Sequence, residues 1–367
     1  MFGGVFRNKR VLVTGHTGFK GSWLSTWLLH LGAEVRGVSI DIPTSPSLFE
    51  RAGLACRLDH QVGDVRDLEF MIRAIADFKP DFVFHLAAQA LVSRSYSDPI
   101  ETLSTNIMGT ANVLEVLRRA CEDCVAVLIT SDKCYDNIEI IWGYRENDAL
   151  GGKDIYSGSK GGAELVFKSY VHSFAASFKA RNIRLSTGRA GNVIGGGDWA
   201  KDRIVPDCIQ AWMAGERVQI RSPAATRPWQ HVLEPLSGYL RLAQRLQASS
   251  VYHGDSYNFG PKPEQNQTVT DLIGALGETW GHADVAESYE VTDNIPFQEA
   301  GLLRLNCDKA LINLGWTPTL DYRACLEMTG GWYRRVLREQ ADPFELTMAH
   351  VAAYEARAVA LGQSWAQ

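Results

Sequence analysis

Short apolar runs alternate with amphipathic stretches through the first half of the chain. Runs of β-branched and aromatic residues predict strands at Arg10–Thr14, Glu34–Ser39, Gln61–Gly63, Phe82–His85, Ala126–Thr130 and Ile183–Arg189. Between them, Gly21–Leu31, Leu68–Phe78, Thr105–Cys121 and Tyr156–Phe174 predict helices, the last two with apolar residues at the 3.6-residue period. This alternation predicts βαβ units and an α/β fold built on a doubly wound parallel sheet.

Beyond Arg189 the texture changes. Gly195-Gly196-Gly197 and prolines at Pro206, Pro223, Pro228, Pro235, Pro261, Pro263, Pro296 and Pro318 interrupt shorter elements, which predicts a second, smaller α/β substrate lobe. The expected division is 1–188 for the sheet domain, with 228–262 returning to it, and 189–227 with 263–367 for the second lobe. With no internal repeat or long linker, the lobes are expected to pack against each other. The tail, Phe344–Gly362, reads as a helix.

Composition narrows the partners. The 367 residues are 46% hydrophobic and 22% charged, ordinary for a folded globular protein. Lys+Arg 37 against Asp+Glu 42 gives −5, so no broad basic field is available for nucleic acid or an anionic membrane. No apolar run approaches the roughly 20 residues of a spanning helix, and the first residues lack a secretory signal, so a cytoplasmic protein is expected. Seven cysteines are scattered, and the lone Cys121/Cys124 CxxC has no second pair, so no metal site is expected.

The first strand runs into Gly15-His16-Thr17-Gly18-Phe19-Lys20-Gly21 and then a helix. Glycines there allow a tight turn and close backbone approach to a pyrophosphate, while the helix start offers unpaired N–H groups. Gly15, Thr17, Gly18, Phe19 and Gly21 are therefore candidate dinucleotide contacts. Asp41 follows the second strand, where a carboxylate accepts from ribose hydroxyls and repels a 2′-phosphate, which favours NAD over NADP. Asp64-Val65 and Leu86-Ala87-Ala88-Gln89 stand at the ends of the third and fourth strands, where α/β ligands sit. Arg36, inside the second strand, is read as structural.

Tyr156-Ser157-Gly158-Ser159-Lys160 puts a phenol and an ammonium at i and i+4 on one helix face. The lysine charge and an oxidised nicotinamide would lower the phenol toward a useful base.

The order of the Gly15–Gly21 loop, Leu86-Ala87-Ala88, Asn106, Ser131, Tyr156 and Lys160 resembles the extended short-chain dehydrogenases/reductases that act on nucleotide sugars, over nearly the whole chain. Thr14–Trp23 (TGHTGFKGSW), Ser131–Tyr135 (SDKCY), Trp142–Asn147 (WGYREN) and Thr226–Val232 (TRPWQHV) resemble their 4,6-dehydratase branch, in its cytidine-nucleotide form. The thymidine-nucleotide relatives carry aspartate then glutamate where this chain has Asp132 then Lys133.

The resemblance implies a Rossmann-type NAD-binding domain, a CDP-hexose substrate and a homo-oligomer paired through the Thr105–Cys121 and Tyr156–Phe174 helices. It further implies a redox-neutral dehydration in deoxysugar synthesis of the lipopolysaccharide type. Tyr156 would take the 4-hydroxyl proton, with Lys160 holding it, Ser131 bonded to the 4-oxygen and Asp132 protonating the departing 6-hydroxyl. Lys133 would be the C5 base or a charge that stabilises the enolate. Asn106 falls among the cofactor residues. On the substrate side the resemblance places Gln89, Arg189, Asn192 and Arg227, the last because a guanidinium fork suits paired phosphate oxygens. Arg203 and Arg221 are further candidates, each equally readable as solvated surface. His231 stands where relatives have tyrosine, and an interior histidine with its bonds met is the plainer reading. Trp212 and Trp229 read as core. The rival readings are a 4,6-dehydratase of another nucleotide hexose, a sugar-nucleotide 4-epimerase and a non-catalytic NAD sensor.

Overall fold

The computed structural model describes all residues except 221, 263, 266, 283–285, 287 and 293–301. Seven parallel strands form the central sheet. Six are β1 (Arg10–Thr14), β2 (Glu34–Ser39), β3 (Asp59–Val62), β4 (Phe82–His85), β5 (Val125–Ile129) and β6 (Arg184–Ala190); the seventh is Ser256–Phe259. Their order is Ser256–Phe259, β6, β5, β4, β1, β2, β3. The chain steps outward one way from β1 through β2 to β3 and the other way from β4 onward. The crevice beyond the ends of β1 and β4 is thus the topological switch point where such sheets take ligands. β4 and most of β1 and β5 are buried, as expected of strands covered on both faces.

Helix Phe19–His30 covers one face with Leu233–Ala248, while Leu68–Phe78, Gly109–Ala120 and Ile155–Ser173 cover the other. The helix expected over Thr105–Cys121 differs in its first turn: Ser104–Met108 is π-helical and the α-helix is Gly109–Ala120. The bulge turns Asn106 inward, where its amide accepts from Gln89 N at 2.9 Å and donates to Ser159 Oγ at 2.8 Å. A tertiary bond thus overrides the regular 3.6-residue repeat.

Beyond β6 the chain forms short paired fragments. Val193–Ile194 pairs with Gln230–His231, Thr226–Arg227 with Gln267–Thr268, and Val218–Ile220 with Tyr289–Val291. Helices Ile204–Met213, Val269–Trp280 and Tyr322–Leu337 pack around them. One apolar cluster, including Trp23, Trp27, Trp212, Trp229, Trp316 and Trp332, runs from the sheet into this part of the chain. Trp23 Nε1 donates to Gly196 O at 2.9 Å, which ties helix Phe19–His30 to the chain beyond β6. The tail helix is Pro343–Ala360, capped by Asp342, and its Glu355 accepts from Trp27 Nε1 at 2.8 Å. Among the described residues no helix is long and apolar enough to cross a membrane.

Candidate functional site

The loop after β1 is shaped by its glycines. Gly15 has φ +75°, and a Cβ there would sit 2.7 Å from Ala87 N; at Gly21 it would sit 2.1 Å from Gly15 O. Gly18 is the N-cap of helix Phe19–His30 and supplies no side chain to close the helix start, which leaves a concave backbone cradle suited to an anion. Thr17 ties the cradle to the end of β2: its Oγ1 donates to Asp41 O at 2.7 Å and its N–H to Ser39 Oγ at 3.3 Å. Asp41 is exposed beside the loop. These residues fit a dinucleotide, with the pyrophosphate over Gly15–Gly21 and a ribose near Asp41.

His16 was not legible as part of this arrangement. Its ring lies beneath the loop, where Nδ1 meets Ser39 Oγ at 2.9 Å and Nε2 meets His60 Nδ1 at 2.7 Å. Gly37 makes the room, since a Cβ there would lie 2.2 Å from the ring. Burial and then the His60 charge pull His16 down to about 4. Arg36 is structural as expected, paired with Asp59 at 2.6 Å and Asp77 at 3.3 Å.

At the end of β4, Ala87 N donates to Thr14 Oγ1, which holds Leu86-Ala87-Ala88 against the glycine loop. Two residues placed here by resemblance are hydrogen-bonded within the protein. Gln89 donates to Leu91 O and Thr102 Oγ1 and accepts from Leu91 N, so its amide ties down its own loop. Asn106 bonds Gln89 and Ser159 through its amide and orders the same loop. Asp64 is held by Arg66 at 2.7 Å, and Val65 is buried under Gly109.

The reactive groups converge at the end of β5. Ser131 caps a short turn, Asp132–Cys134, and its hydroxyl donates to Asp132 Oδ1 at 2.9 Å. Asp132 is 3% exposed, and burial raises its pKa against the opposing charges of Lys133 and Lys20 and the Ser131 hydrogen bond. Tyr156 lies in the first turn of helix Ile155–Ser173, which Asp154 caps by accepting from Ser157 N at 2.9 Å. The Nζ atoms of Lys133 and Lys160 lie 6.0 and 5.8 Å from the centre of the Tyr156 ring. Burial pulls Lys160 down to about 8 and pushes Tyr156 up to about 12. The sequence pointed to Lys160 as the charge that lowers the phenol; here the leading opposing charge is Arg203. Lys20, which sequence reasoning passed over inside the TGHTGFKGSW stretch, also faces this cluster. Burial and the Arg203 charge bring it to about 8, with Asp132 opposing.

The chain beyond β6 reaches the same place. Gly191 leaves space for Asp132, since a Cβ there would lie 2.8 Å from its Oδ2. Asn192 follows, and its carbonyl accepts from Gln230 N. Arg203 opens helix Ile204–Met213 and pairs with Asp198 at 3.0 Å. Arg227 sits half-buried in its short strand. Two substrate assignments need correction. Arg189 is wholly buried and paired with Glu164 at 2.7 Å, so its guanidinium is spent inside the core and out of reach of a diphosphate. His231 is wholly buried with its ring edge-on to Trp23 and Nδ1 accepting from Leu233 N, an interior histidine. Arg221 lies outside the described residues.

A buried phenol, a serine hydroxyl, a carboxyl with raised pKa and several cations thus share one crevice next to a dinucleotide cradle. Such a set can move a hydroxyl proton and, separately, protonate a leaving group. The model of the GDP-mannose 4,6 dehydratase family matches residues 12–329, and the chain belongs to that family. Among its relatives, a CDP-glucose 4,6-dehydratase of Salmonella typhimurium is 48% identical over 335 residues, 91% of this chain and 92% of the relative. A dTDP-glucose 4,6-dehydratase of Mycolicibacterium smegmatis is 27% identical over 89% of this chain and 93% of its own. The fold is similar to that of a Streptomyces venezuelae dTDP-glucose 4,6-dehydratase solved with NAD, with a TM-score of 0.75 and 24% identity over 91% of this chain and 99% of that one.

Proposed function

We propose that the protein is an NAD-dependent CDP-glucose 4,6-dehydratase, which converts CDP-glucose to CDP-4-keto-6-deoxyglucose with loss of water. The observation that carries this reading is the placement of Asp132, buried and raised in pKa, beside the Tyr156 and Lys160 pair. An enzyme that only oxidises or epimerises at C4 has no use for that acid. The similarity to the Salmonella enzyme supports the nucleotide.

The residues of the two lobes divide the work. Gly15, Thr17, Gly18, Phe19 and Gly21 would hold the pyrophosphate of NAD, and Asp41 the adenosine ribose. NAD held there would supply a reversible hydride acceptor between C4 and C6 of the hexose. Tyr156, raised to about 12 in the cofactor-free fold, would need the positive charge of bound NAD beside that of Arg203 to give up its own proton before it takes the one from the 4-hydroxyl, while Lys160 steadies the phenol and Ser131 bonds the 4-oxygen. The C4 ketone acidifies the proton on C5. Asp132 gives its proton to the departing 6-hydroxyl, which leaves as water. Lys133 serves the C5 step, as base or as the charge beside the enolate, and C5 regains a proton when the hydride reaches C6. Arg203, Arg227 and Asn192 are assigned to the diphosphate.

We assign residues 1–188 and 228–262 to the cofactor domain and 189–227 and 263–367 mainly to the sugar nucleotide. The pairing of chains is assigned to the helices around Ile100, Met108 and Leu165, large apolar residues that are all exposed. The product is placed in cytoplasmic deoxysugar synthesis for a lipopolysaccharide.

The test is to offer CDP-, UDP-, dTDP- and GDP-hexoses and read the base-induced absorbance of the 4-keto-6-deoxy product. Product from CDP-glucose foremost is expected. A product that keeps its 6-hydroxyl would point to a 4-epimerase instead.

A further inference from the structure

Thr130 and Tyr135 bracket the Ser131–Cys134 segment, and both end on one buried ion pair. Glu164 and Arg189 have no exposed side-chain surface and meet at 2.7 Å. Glu164 Oε1 also accepts from Arg189 Nε at 3.0 Å and from Thr130 Oγ1 at 2.5 Å. The hydroxyls of Thr187 and Ser256, from β6 and the seventh strand, lie 3.1 and 3.2 Å from Oε2. On the other side, Arg189 Nη1 donates to the Tyr135 hydroxyl at 2.7 Å and to Glu146 O at 3.2 Å. The Tyr135 hydroxyl in turn donates to Asn258 Oδ1 at 2.8 Å.

Glu164 stands four residues beyond Lys160 and eight beyond Tyr156, on the same stripe of one helix. A single charge pair therefore grips both ends of the segment that carries Asp132 and the helix that carries Tyr156. We propose that the Glu164–Arg189 pair, acting through Thr130 and Tyr135, sets the register between Asp132 and Tyr156, and that these four are positioning residues for water loss.

This inference rests on the dehydratase reading. A buried ion pair is a poor source of stability, because desolvation offsets its attraction. Saturated with hydrogen bonds from several elements, it does specify geometry. Dehydration needs that geometry more than oxidation does. Oxidation takes its proton acceptor, Tyr156, and Lys160 from the helix, which Glu164 continues to tie to β6 through Arg189 whatever becomes of Thr130 and Tyr135, and it shares only Ser131 with the bracketed segment. Water loss uses Asp132 on the bracketed segment, whose side-chain tethers to the ion pair are the Thr130 and Tyr135 hydroxyls, beside the backbone bonds from Thr130 N to Gly188 O and from Gly151 N to Cys134 O.

The experiment uses full-length enzyme with NAD and CDP-glucose, in wild type, Tyr135→Phe, Thr130→Val and Thr130→Ser. Reduced-cofactor absorbance is followed by rapid mixing alongside formation of the 4-keto-6-deoxy product. In Tyr135→Phe and Thr130→Val, bound NADH should accumulate while product formation slows about ten- to a hundredfold, the scale expected of a misplaced group. Thr130→Ser, which keeps the hydroxyl, should restore the wild-type course. Wild-type turnover is the reference that separates this inference from the dehydratase reading. Variants whose NAD reduction and product formation fall in equal proportion, without NADH accumulation, would overturn the register role, because that is what a smaller folded fraction gives.

Discussion

The Ser131 hydroxyl donates to Oδ1 of Asp132 at 2.9 Å, so the end of β5 presents a carboxyl held by its own neighbour. Burial raises the pKa of Asp132. The fold therefore favours its neutral form, and at pH above its raised pKa the ionised carboxylate weakens the native state. Asp132→Asn should reduce bound NAD on addition of substrate yet stall before water loss, with product formation down about 10²–10⁴-fold. Its melting temperature should exceed wild type at neutral pH, and the difference should shrink as the pH falls toward the ordinary aspartate value of about 3.9. Differential scanning calorimetry across pH and product assays check both halves.

Lys133 stands beside Asp132 with its ammonium 6.0 Å from the Tyr156 ring centre. Lys133→Met separates its two roles. Loss of solvent-deuterium exchange at C5 is the outcome expected of a base. Exchange that persists while turnover falls assigns it to charge stabilisation.

Tyr156 and Lys160 are shifted in opposite directions by the same burial, up to about 12 and down to about 8. Between pH 8 and 10.5 the unfolded chain keeps the lysine proton that the folded chain has released, so cofactor-free protein should gain stability from Lys160 as pH rises through that window. Between pH 10 and 12 the folded chain keeps the tyrosine proton that the unfolded chain has lost, and the contribution reverses. Lys160→Met should lack the first rise in thermal melts. Tyr156→Phe should lack the later fall and lose about 10²–10⁴-fold in turnover.

Arg189 and Arg227 are separated by the structure although the sequence paired them. Arg189→Met leaves Glu164 buried without its partner and should destabilise the fold by about 3–5 kcal/mol in chemical denaturation. Arg227→Met should raise the KM for CDP-glucose with little change in kcat.

The sheet was legible where its strands are short apolar runs with clear ends; the polar β3 begins two residues before its expected Gln61, and the seventh strand, Ser256–Phe259, gave no such signal. β1, β2 and β4 fall on their expected residues, and β5 and β6 are displaced by one. What local pattern could not carry was anything decided across the fold. The π-helical turn at Ser104–Met108 is set by the Asn106 bonds to Gln89 and Ser159. The two-residue strands beyond β6 exist only through distant partners, as with Val193–Ile194 and Gln230–His231. Around the site, the glycine loop and the Tyr156, Lys160 and Asp132 set followed from spacing and resemblance. Arg189 did not, since a motif arginine looks the same whether it faces a phosphate or a buried glutamate. Lys20 and His16 were hidden for the converse reason: their partners, Asp132 and His60, are far away in sequence.

The central claim is that one hydride leaves C4 of the hexose and arrives at C6 within a single active site. CDP-glucose deuterated at C4, incubated with enzyme and NAD, tests it by NMR and mass spectrometry of the product. The deuterium should appear at C6 with the 6-oxygen lost. Product without label at C6, or with the 6-hydroxyl retained, would contradict it.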